Sequence, residues 1–139
     1  MVDRDTIIEK ISALKKHLKR LKEIGSHQQS IFLENCDLQQ LAAFNLQTAI
    51  QNCIDIGGHI YAGLDVGAPG TYNEIFYELL DRKIITKAML EKLIQMIGLR
   101  NRIAHDYEDV SNEKIYSILK HDLGDFELFI KQIVKYSKI

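Results

Sequence analysis

Apolar residues near the start of the chain recur at Ile7, Ile11, Leu14, Leu18 and Leu21, a 4-3-4-3 spacing. That rhythm is one face of an amphipathic helix, predicted from about Asp3 to Ile24 with Gly25 as its stop. The opposite face is basic, carrying Lys10, Lys15, Lys16, Lys19, Arg20 and Lys22. A second helix is expected from Asp37, an N-cap with Gln40 three residues on, through Leu38, Leu41, Ala42, Asn45, Ala49, Cys53, Ile56 and Ile60. The pair Gly57-Gly58 inside it either kinks the helix or admits a close neighbour. The stretch Gly63 to Gly70 reads as a loop. Thr71 and Glu74 form a capping-box pattern that opens a short helix from Tyr72 to about Arg82. Thr86 caps a further helix reaching His105 or Tyr107, with the stripe Leu90, Leu93, Ile94 and Ile97. Ser111 opens one long final helix striped by Ile115, Leu119, Leu123, Phe126, Ile130 and Ile133. No segment alternates with the period of a strand. The fold predicted is an all-α antiparallel bundle of four main helices plus one short helix.

Composition narrows this. The chain has 139 residues, 46% hydrophobic and 27% charged, with one proline and eight glycines. That fits a single helical domain spanning residues 1–139, with enough apolar surface for a core. Disorder is excluded, and no apolar run approaches a membrane span. The opening MVDRDTIIEKI lacks the features of a secretory signal, so a cytoplasmic location is expected. Two cysteines, Cys36 and Cys53, suit a reducing compartment and need not pair. A net charge of −1 leaves no global field for nucleic acid, so such binding needs a local patch.

The pattern breaks at Ile97-Gly98-Leu99-Arg100-Asn101-Arg102-Ile103-Ala104-His105-Asp106-Tyr107. With Ile97 centred inward, Arg100 lies about 60° to one side, Asn101 about 40° to the other and His105 about 80°, while Arg102 and Asp106 point outward. A guanidinium there must be paired or reach water. Arg100 is then either a helix-end cation that snorkels to solvent, or part of a polar pocket or a polar patch between subunits.

The string Arg100, four residues, His105-Asp106-Tyr107 resembles the R-X4-H-X-Y motif of HEPN-domain proteins, and of HepT-like toxins in particular. Arg100-Asn101 also matches the polar residue that follows the arginine there. The resemblance extends to chain length, helix order and the basic first helix. It implies a HEPN-like dimeric bundle and a metal-independent endoribonuclease. His105 would take the proton from an RNA 2′-OH attacking the adjacent phosphate, Arg100 would hold the developing charge, and Asn101 would support them. On one regular helix Arg100 and His105 stand about 140° and about 7.5 Å of rise apart. Either the helix unwinds near Ala104 or two chains share the site. The resemblance favours a homodimer. It also implies a minimal nucleotidyltransferase antitoxin as partner, which neutralises the toxin by AMPylation of Tyr107. The alternative is a non-catalytic nucleotide- or partner-binding subunit of such a nucleotidyltransferase.

The first helix offers an RNA-docking strip in Lys15, Lys16, Lys19 and Arg20, though such a face is often only solvated. His17 and His121 read as surface residues, and His59 as a packing residue. Histidine and cysteine spacing supports no metal, and GAPGT lacks the lysine of a phosphate loop. No cofactor is expected, AMP arriving only as a covalent modification.

Overall fold

A computed structural model describes residues 3–105 and 110–138. Seven helices lie among them: α1 Arg4–Gly25, α2 Gln29–Glu34, α3 Cys36–Ala62, α4 Tyr72–Asp81, α5 Lys87–Ala104, α6 Asn112–His121 and α7 Gly124–Ser137. The described residues contain no strand, and no helix among them is long and apolar enough to cross a membrane. Four long helices close a circuit: α1 packs on α3, α3 on α5, α5 on α7, and α7 back on α1. The short α4 lies against α3 and α5, while α6 lies against α1, α2 and α3. The predicted apolar stripes of α1, α5, α6 and α7 point into one contiguous core.

Caps anticipated from sequence are present as hydrogen bonds. Thr71, Thr86 and Ser111 accept from the backbone N–H of Glu74, Met89 and Lys114 at 3.2, 3.2 and 3.1 Å. The capping box at α4 is shifted by one residue, since the Glu74 carboxylate accepts from Gly70 N–H at 2.6 Å. The Gly57-Gly58 pair does not break α3, which is continuous to Ala62. Its use is close approach: a Cβ on Gly57 would stand 2.6 Å from Cε1 of Phe76, on α4.

Several expectations need correction. The segment between Gly25 and α3, for which no element is predicted, holds α2, where Phe32 is fully buried with its ring 5.4 Å from that of Tyr116. The α3 cap is Asn35 rather than Asp37, its side chain accepting from Leu38 N–H at 3.0 Å. Of the residues named along α3, Leu41 is 52% exposed. His17 is half-buried, not a surface residue, and its Nδ1 sits 2.8 Å from Oδ1 of the buried Asn45. The single final helix is two, α6 and α7, broken at Asp122-Leu123. The break lets α6 turn over the end of α1, where Lys120 donates to the Gly25 carbonyl at 3.0 Å. The apolar stripe continues unbroken through it, all six predicted residues being buried.

Candidate active site at the end of α5

Helix α5 buries Leu90, Leu93 and Ile97 along the predicted stripe, and also Leu99. Leu99 is about 200° from Ile97 around the helix. The last turns are therefore enclosed on two sides, and Arg100 emerges between them, half-buried. Its Nη1 donates to Oδ1 of Asn101 at 3.1 Å. Its Cζ lies 5.8 Å from the ring centroid of Tyr72, the first residue of α4, within cation–π range. Its Nε is buried and has no hydrogen-bond partner among the described residues. Buried donors are normally satisfied. Arg100 is thus held in place on two sides.

His105 is exposed and forms the C-cap of α5, with φ −97° and ψ 15°. Its backbone N–H donates to the Asn101 carbonyl at 3.1 Å. Asn101 therefore contacts both motif residues, Arg100 through its amide side chain and His105 through its carbonyl. The helix stays regular to Ala104. His105 is the first residue to leave the helix. Asp106 and Tyr107 lie outside the described residues, so the modification expected at Tyr107 has no structural description.

The basic residues of α1 do not join this site. Lys15 and Lys19 border a groove of about 540 Å³ between α1 and α7, together with Lys22 and Lys131 over Leu18 and Ile130. Lys22 is ion-paired with Glu127 there. Lys16 and Arg20 turn instead toward Ile8 and His17. Arg102 also leaves Arg100, lining a cleft of about 510 Å³ with Leu46, Ile50, Leu99, Lys114 and Phe126. His121 is exposed. His59 is half-buried, its Nε2 enclosed without a hydrogen-bond partner among the described residues. Among the described residues no three of the His, Cys, Asp or Glu side chains gather as a metal-ligand set. Cys36 is exposed and Cys53 buried, both as free thiols, and burial pushes the Cys53 thiol up.

Sequence reasoning missed Tyr72. It begins a helix after a loop and carries no motif, and only the packing of α4 on α5 reveals it beside Arg100.

A helical bundle whose third long helix ends in an R-X4-H pair defines a HEPN-type domain. Residues 14–133 match the family described as Ribonuclease HepT-like. The mRNA nuclease HepT of Shewanella oneidensis is 35% identical over 130 residues, 93% of this chain and 96% of that one. The tRNA nuclease HepT of Aphanizomenon flos-aquae is 30% identical over 132 residues, 95% of this chain and 88% of that one. Among solved structures, the tri-AMPylated Shewanella oneidensis HEPN toxin in complex with MNT antitoxin superposes with a TM-score of 0.88. It has 33% identity and covers 96% of this chain and 99% of that one. The chain belongs to the ribonuclease HepT-like family.

Proposed function

We propose that this chain is the endoribonuclease toxin of a toxin–antitoxin pair, acting as a homodimer without metal. Relatives named as mRNA and tRNA nucleases support the activity. The solved toxin bound to its MNT antitoxin supports the pairing. The observation that carries the chemistry is Arg100: half-buried, at the end of α5, and fixed by Asn101 and Tyr72.

The reaction asks little of the protein. An RNA 2′-OH is the nucleophile. His105 takes its proton while the 2′ oxygen bonds to phosphorus and the bond to the 5′ oxygen breaks. The leaving 5′ oxygen receives a proton, from the second copy's imidazolium or from water. Arg100 faces the phosphate oxygens with a planar, permanently charged fork, where the charge develops. Asn101 keeps that fork in register. Because α5 remains helical to Ala104, one chain presents Arg100 and His105 in divergent directions, and two chains around a two-fold axis bring them to one cleft.

A nucleotidyltransferase partner switches the enzyme off by transferring AMP from a nucleoside triphosphate to the Tyr107 hydroxyl, with pyrophosphate leaving. The added phosphates bring negative charge two residues from His105. They repel RNA and compete for Arg100.

The 2′-OH requirement is the test of this reading. Unmodified protein is expected to cut an RNA strand and leave the same sequence intact when every ribose is 2′-O-methylated. Cleavage of both strands would refute the mechanism.

A further inference from the structure

Tyr72 is held beside Arg100 by local structure that the reaction itself does not require. Thr71 caps α4, and Glu74 ties back to Gly70 N–H, so the first residue of the helix is fixed where the loop ends. The ring centroid sits 5.8 Å from the Arg100 guanidinium carbon, yet Tyr72 remains 40% exposed. Part of the ring surface beside Arg100 is therefore open to a ligand. A nucleotide places a flat base at a short covalent reach from its phosphate, and single-stranded RNA is characteristically read by stacking such bases on aromatic side chains.

We propose that Tyr72 is the nucleobase platform of this site: it stacks the base beside the phosphate that Arg100 holds, and so selects single-stranded over paired RNA. The proposal rests on the ribonuclease reading for its substrate, but its test reads binding as well as cleavage. Paired RNA keeps its bases in the helix and has no base to offer Tyr72. Unpaired RNA can splay one onto the ring.

The chain contains no tryptophan. Tyr72→Trp therefore installs a sole indole beside Arg100, whose fluorescence reports directly on stacking. The probe is a short 2′-O-methyl RNA, which cannot be cut, compared with an abasic oligomer carrying the same number of phosphates. The 2′-O-methyl RNA is expected to quench the indole and the abasic oligomer to leave it unchanged. Equal quenching by both, or none by either, would overturn the platform. On cleavable RNA, Tyr72→Leu is expected to raise KM by roughly 5- to 150-fold, and Tyr72→Phe to restore what Tyr72→Leu loses. A fall in kcat at constant KM would make Tyr72 a positioning residue for Arg100 and overturn the proposal. Quenching without any cleavage would leave the platform standing and remove the ribonuclease reading. Cleavage with parental KM in Tyr72→Leu would do the reverse.

Discussion

The side-chain oxygen of Asn101 accepts from Nη1 of Arg100 at 3.1 Å, a hydrogen bond between neighbours in sequence that pins a half-buried cation. The same residue's carbonyl accepts from the backbone N–H of His105. Asn101→Ala is expected to loosen the fork without unfolding α5. A charge-assisted hydrogen bond contributes on the order of 1.5 kcal/mol, so kcat/KM should fall about tenfold with circular dichroism unchanged. Asn101→Asp should fall further, because a carboxylate would pair with Arg100 and compete with the substrate phosphate. Parental turnover in both variants would remove Asn101 from the site.

The regular course of α5 makes the two-chain site testable by mixing. Arg100→Ala and His105→Ala homodimers are each expected to be inactive. After subunit exchange, a mixed dimer has one chain with an intact Arg100 and the other with an intact His105. Statistical mixing then restores about a quarter of parental activity, since about half the dimers are mixed and each retains one of two cross-chain pairs. No gain over the separate variants would place Arg100 and His105 of one chain in each working pair.

Two glycines predict opposite outcomes. Gly57→Ala would put a Cβ 2.6 Å from the ring of Phe76, which is fully buried and cannot swing away. Such overpacking costs about 1–3 kcal/mol, read as a lower denaturant midpoint. Gly98 lies in α5 with nothing within 4 Å of a Cβ. Gly98→Ala should stabilise by up to about 1 kcal/mol, the helix-propensity difference.

The two thiols should differ sharply. In the native protein a maleimide is expected to label Cys36 alone, and after unfolding both. Burial raises the Cys53 pKa in the folded state. Its contribution to stability is therefore complete below the unfolded thiol's pKa. It is lost as pH rises above that value, because the unfolded chain ionises there and the folded one does not. The denaturant midpoint of the parent should fall between pH 8 and pH 10.5 more steeply than that of Cys53→Ala. Equal slopes would show that Cys53 ionises in place.

Most of the bundle was legible because its signals are local. Thr71, Thr86 and Ser111 each cap a helix within three residues, and the stripes of α1 and α5 are periodic in the core direction. What was hidden is tertiary. Helix α2 exists because Phe32 is buried against Tyr116, which no local pattern announces. The α6–α7 break is invisible because Leu119, Leu123 and Phe126 keep the apolar rhythm through it. His17 reads as one more polar residue on a basic face, yet it reaches across to Asn45 on α3. At the site, Arg100 and Asn101 stand out by interrupting an apolar face, whereas Tyr72 stands beside them only once α4 folds onto α5.

The central claim is metal-independent cleavage of RNA by Arg100 and His105. Its most direct test incubates protein shown by mass spectrometry to be bare at Tyr107 with total RNA in EDTA, beside His105→Ala, and reads the 3′ ends of the products. Cleavage leaving 2′,3′-cyclic phosphate ends, absent in His105→Ala, is the predicted result. Intact RNA with the unmodified protein, or equal cleavage by His105→Ala, would contradict it.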